Sequence, residues 1–133
     1  IALIEEAGGS PALGLQFDTW HLWHTETLYD DIAAEDARFV GVHVGDHRVP
    51  TRGFADRALP GDGAASVPAI LRALDAAGWD GLYDIEIFSD DGTFGDEYPD
   101  SFWAAPATET LARARRAFER CWSMTPRQVE ETR

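Results

Sequence analysis

Lysine is absent from the 133-residue sequence, so all 11 of its basic residues are arginines. That excludes Schiff-base catalysis, which needs a lysine amine, and the phosphate-gripping lysine of a P-loop. Cysteine is almost absent too. The single Cys121 cannot close an internal disulfide, and nothing else points to an oxidising compartment. No apolar run approaches the ~18 residues of a membrane span, and no basic segment followed by an apolar one opens the chain. The expectation is a soluble, cytoplasmic protein. Positive charge is scarce altogether: 24 acidic residues against 11 basic ones give a formal net charge of -13. Such a surface repels phosphate backbones, and the arginines gather only at Arg113, Arg115, Arg116 and Arg120 on one late helix, so DNA is not an expected partner. Carboxylates, imidazoles and a bound metal remain as the available chemistry.

A hydrophobic content of 44%, with 11% aromatics, is enough for one compact domain with a buried core. The chain opens on IALIEEAGG, the end of a helix stopped by Gly8 and Gly9. In LGLQFDTWHLW, Leu13 to Trp23, side chains alternate with period two. Leu13, Leu15 and Phe17 take one face of a short strand, and Asp18 closes the other. A helix is expected from about Thr25 to Asp36. FVGVHVGD, Phe39 to Asp46, is a second strand, with His43 near its end and Val40, Val42 and Val44 on the opposite face. Residues 46–63 read as a long loop carrying Arg48, Arg52, Arg57 and the turn Pro60-Gly61-Asp62-Gly63. Val67, Ile70, Leu71 and Leu74 then recur at helical spacing, with Gly78 as the stop. GLYDIEIF, Gly81 to Phe88, alternates again and places Glu86 near a third strand end. After a loop of about twenty residues, a last helix from about Thr108 to Trp122 carries Leu111, Ala114, Phe118 and Cys121 as its apolar stripe. Residues 123–133 form a polar tail.

Strands alternating with helices imply right-handed crossovers and a parallel sheet. Asp18, His43 and Glu86 each stand near the carboxyl end of a strand, where the βα loops of a barrel build active sites. Any one of them has a plain alternative: Asp18 could cap the following turn, and Glu86 could pair with an arginine. Three of them on successive strands favour a metal site.

FDTWHLW, VHVGD, the PGDG turn and GLYDIEIF resemble the C-terminal half of the xylose isomerase-like TIM-barrel superfamily of sugar isomerases and epimerases, which also includes endonuclease IV. The resemblance runs from about Leu3 to Trp122, so residues 1–122 are expected to form a partial (β/α)8 barrel of about three βα units, incomplete in this chain. It implies one divalent metal ion (Mn, Mg, Co or Zn) held by Asp18, His43, Glu86 and a fourth glutamate from a strand that would precede Ile1. It further implies that Glu86 is one of two bases exchanging a proton through an enediolate, and that His21 and Arg48 contact the substrate. Trp20, Trp23 and Trp103 could wall the site or simply pack loops. The implied function is isomerisation or epimerisation of a sugar, sugar phosphate or inosose. The alternatives are an inosose dehydratase-type lyase and a catalytically silent truncated barrel serving as a binding or assembly module. The nuclease branch is disfavoured because Ala58 stands where its Asp-x-His pair requires histidine. A missing N-terminal half-barrel or a homo-oligomer partner is expected to complete the fold.

Overall fold

The computed structural model describes residues 2–35 and 38–124. Its elements in chain order are α1 (Ala2–Glu6), β1 (Leu15–Asp18), α2 (Thr19–Leu22), α3 (Leu28–Glu35), β2 (Phe39–Val44), β3 (Asp46–His47), β4 (Arg57–Ala58), α4 (Val67–Ala77), β5 (Tyr83–Ile85) and α5 (Ala107–Ser123). Of the tail expected over residues 123–133, Ser123 closes α5 and residues 125–133 lie outside the described residues.

β1, β2 and β5 form a parallel sheet in the order β1-β2-β5. The β-branched and aromatic residues of FVGVHV suit the central position, flanked on both sides. The pairing register sets Asp18 directly across from His43, and His43 across from Asp84. β5 is shorter than the alternation of GLYDIEIF suggests, yet the Glu86 N–H still donates to the Val44 carbonyl at 3.1 Å. The ladder therefore carries Glu86 one step past the strand, level with the other two strand ends. Among the described residues this is part of a barrel wall: three parallel strands with the helices between them and no closure.

The opposite face of the sheet is the core. Phe17, Val42 and Val44 pack with Leu28 and Ile32 of α3 and with Val67, Ile70, Leu71 and Leu74 of α4. Each fully buried aliphatic side chain contributes about 1.5–3 kcal/mol relative to exposure, so this face outweighs any single polar contact in holding the layers together. The stripe expected on α4 is buried throughout. On α5 it is rotated. Ala114, Ala117 and Cys121 are buried, Phe118 packs partly, and Leu111 is 68% exposed. At 100° per residue Leu111 and Ala117 lie on opposite rims of the stripe, and the small Ala117 is the rim that meets the core.

The stretch read as one long loop holds a short antiparallel ladder, Asp46 opposite Ala58 and His47 opposite Arg57. A buried carboxylate organises it. Asp46 accepts hydrogen bonds from the backbone N–H groups of His47, Gly61, Gly63 and Ala65 at 2.8–3.0 Å. A Cβ on Gly63 would stand 2.4 Å from Asp46 Oδ1, so only glycine lets the turn close on it.

Candidate metal centre

Asp18 does two things at once. As the N-cap of α2 it receives the N–H groups of Trp20 at 2.8 Å and His21 at 3.3 Å, both on Oδ1. That bond fixes the carboxylate plane and leaves Oδ2 facing His43 Nδ1 at 3.6 Å. Glu86 is arranged the same way: Oε2 takes the Arg57 guanidinium at 2.5 Å, while Oε1 lies 3.8 Å from His43 Nδ1. Each carboxylate thus has one oxygen fixed by the protein and one turned toward the same imidazole. Those separations are too long for hydrogen bonds. They suit donors that share an ion, since two ligands each about 2.1 Å from a metal stand at most ~4.2 Å apart. Ligand atoms of Asp18, His43 and Glu86 all lie within 4.8 Å of one another, so a slight contraction closes them on a common point. An oxygen and nitrogen donor set with two carboxylates suits a divalent cation.

The strand ends are tied behind these side chains. The Thr19 hydroxyl donates to the Gly45 carbonyl at 2.6 Å and accepts the Gly45 N–H at 2.9 Å. Residue 19 follows Asp18 and residue 45 lies two beyond His43, so this pair holds the ends of β1 and β2 in register.

Arg57 is the site residue to which sequence reasoning gave no role. It is 1% exposed, with its guanidinium 4.4 Å from the Trp20 ring centre and 4.5 Å from that of Phe88. Among the described residues its carboxylate partner is Glu86, and its buried Nε meets no acceptor. An arginine in a polar loop carries no periodicity that marks it as buried. The available signal was its place three residues before the PGDG turn that Asp46 anchors.

His21 and Arg48 sit outside the cluster. The His21 ring is exposed and edge-on to Trp20 at 4.8 Å, tied to the site through its backbone N–H. Arg48 joins a separate ion cluster, with Nε 2.8 Å from Asp56 and Nη1 3.5 Å from Asp100. Arg52 binds the same two carboxylates, Asp56 in a fork at 2.7–2.8 Å and Asp100 at 2.7 Å. Of the tryptophans, Trp20 covers Arg57, Trp103 stands against Phe88 and Phe94, and Trp23 packs on the core and on His47.

The xylose isomerase-like TIM barrel family model matches residues 1–121. The chain belongs to that family. Among solved structures, this xylose isomerase-like chain is similar to protein SMc04130 from Sinorhizobium meliloti 1021, with 29% identity and a TM-score of 0.75 over 90% of the chain. It shares its fold with the IOLI protein, crystallised with a zinc atom, at 20% identity and a TM-score of 0.72 over 93% of the chain. In each case it spans 42% of the other protein's length. A comparison with proteins of curated function finds no match. Among the described residues no helix is long and apolar enough to cross a membrane.

In this xylose isomerase-like chain the arginines of the ion cluster hold its carboxylates below their usual range. Burial pushes the Asp56 carboxyl up, but the Arg52 fork and the charge of Arg48 outweigh it and hold the group below the usual range; Arg52 lowers Asp100 in the same direction. A carboxylate depressed in the fold adds stability that is present above its unfolded value of about 3.9 and is lost as pH falls through the folded one. Asp46 acts oppositely. Burial raises it despite four N–H donors, so its contribution declines as pH rises from the unfolded value through the raised one. Thermal melts of the wild type should therefore drop steeply below about pH 4, and Asp56→Asn should flatten that acid limb. An unchanged limb in the variant would place the acid sensitivity elsewhere.

Proposed function

We propose that this chain supplies the larger part of the metal and substrate site of a cytoplasmic, divalent-metal-dependent sugar or polyol isomerase or epimerase. The observation that carries the reading is the convergence of Asp18 Oδ2, His43 Nδ1 and Glu86 Oε1 at three adjacent parallel strand ends, each carboxylate with its other oxygen already engaged. Family membership and the zinc atom of the similar IOLI protein support it. Asp18, His43 and Glu86 would hold the ion, as Mn, Mg, Co or Zn. Bound there, a divalent cation would polarise a substrate carbonyl and its neighbouring hydroxyl and so acidify the adjacent C–H.

The protein's own groups do the rest. Glu86 takes the proton from one face of the substrate carbon or returns it there, and Arg57 keeps its carboxylate from rotating away. In this reading His21, on the short helix that Asp18 caps, would orient a substrate oxygen, and Arg48 would contribute only through N–H groups left over from its ion pairs with Asp56 and Asp100. A second base and a fourth ligand would come from strands outside this sequence.

The test assays the barrel completed with its N-terminal half, supplied in cis or as a separate chain, with ketoses and Mn in deuterated water. The expected product is an isomer that keeps its skeleton and gains one deuterium beside the carbonyl, with activity lost to a chelator. A product lighter by one water would reassign the site to a lyase, and chelator-resistant turnover would remove the metal from it.

A further inference from the structure

Two of the loops beside the Asp18–His43–Glu86 cluster, residues 45–66 and 86–106, carry arginines and N–H nests of the kind that hold a phosphate, and each arginine and each nest already faces one of the protein's own carboxylates. Phosphate esters are gripped by arginine forks, by lysines, or by backbone N–H groups converging from glycine-rich turns and helix N-termini. Lysine is absent. In residues 45–66 and 86–106 the arginines are Arg48, Arg52 and Arg57. Arg57 is committed to Glu86, and Arg48 and Arg52 to Asp56 and Asp100.

The backbone donors are filled as well. In and just after the PGDG turn the N–H groups of Gly61, Gly63 and Ala65 converge as a phosphate nest would, and the anion they hold is Asp46. A second nest, the N–H groups of Phe94 and Asp96, is filled by Asp90. The first turn of α4 gives nothing further: Val67 and Ala69 donate to backbone carbonyls, and Pro68 has no N–H. Asp91, Asp96 and Glu97 then add negative charge without an arginine partner among the described residues. Beside this acidic rim stand the aromatic faces of Phe54 (60% exposed) and Phe94 (66% exposed), with Phe88 and Trp103 between and behind them. Such faces suit the C–H side of a polyhydroxylated ring or chain and repel a dianion.

We infer that the substrate of this site is an uncharged sugar or polyol, and that its phosphate ester is rejected by carboxylates that have taken the places a phosphate would need. The inference rests on the isomerase reading given under Proposed function. The completed barrel with Mn is assayed on one ketose with and without a terminal phosphate, and with inorganic phosphate as competitor. Expected are a kcat/KM for the free ketose roughly 100-fold above that for the ester and no competition by phosphate. In Asp100→Asn, which frees Arg48 and Arg52 from one of their two carboxylates, the ester should gain about 10-fold relative to the free sugar. Equal or better turnover of the ester by the wild type overturns the inference and leaves the isomerase reading standing. An ester rate unmoved in Asp100→Asn overturns the assignment of the rejection to this ion cluster. Absence of both turnover and solvent deuterium exchange with either compound overturns the isomerase reading and this inference with it.

Discussion

Arg57→Met weakens divalent metal binding by about 10- to 100-fold, the range seen when a partner that orients a metal ligand is removed. Methionine keeps an unbranched apolar stem between Trp20 and Phe88, so the aromatic sandwich persists while the charged fork is lost. Glu86 Oε2 then loses the donor that fixes it, and the carboxylate can turn Oε1 away from His43. Arg57→Lys restores the charge but not the planar fork and should fall between the two. Calorimetric titration of the completed barrel with Mn reads the effect, with circular dichroism confirming an intact fold. Equal affinity in wild type and Arg57→Met would make Arg57 a packing residue and nothing more.

Glu86→Gln is expected to have the largest effect on turnover, a loss of about 10²- to 10⁴-fold at saturating metal. The amide nearly preserves shape and can still meet Arg57 through its oxygen, but it can neither accept the proton nor supply an anionic ligand. Exchange of the substrate's C–H with solvent deuterium separates the two losses, because it reports proton abstraction without requiring product. If exchange persisted near the wild-type rate when metal is saturating, Glu86 would be a ligand and the base would lie elsewhere.

The three strand ends were legible because strand alternation is a strong local signal. A residue at the polar end of LGLQFD or FVGVHV has only one face to occupy, and parallel pairing then brings neighbouring ends side by side. The plain alternatives considered for Asp18 and Glu86 are both present, for Asp18 caps a helix and Glu86 pairs with an arginine. Capping and pairing each use one carboxylate oxygen, so a structural role for either group leaves its second oxygen available to an ion. Arg57 was illegible because its burial depends on three aromatic rings brought together from positions 20, 54 and 88, a tertiary fact with no periodicity. The rotated stripe on α5 was missed for a similar reason: helical spacing defines a face about 100° wide but not which rim the neighbouring layer will meet. The ladder between Asp46–His47 and Arg57–Ala58 is two residues long on each side, below what alternation can register.

The reciprocal pair between the Thr19 hydroxyl and the Gly45 peptide involves no atom of the candidate metal centre, yet it sets the spacing between the strand ends that carry Asp18 and His43. Because the spacing belongs to the backbone, the conformational entropy of gathering Asp18 and His43 is met when the chain folds and not when an ion arrives. On the proposed reading an ion would then meet a frame already in place, and metals would exchange with only side-chain adjustment. A change of metal preference can likewise arise by altering one side chain at a strand end, with the barrel wall beneath it left as it is.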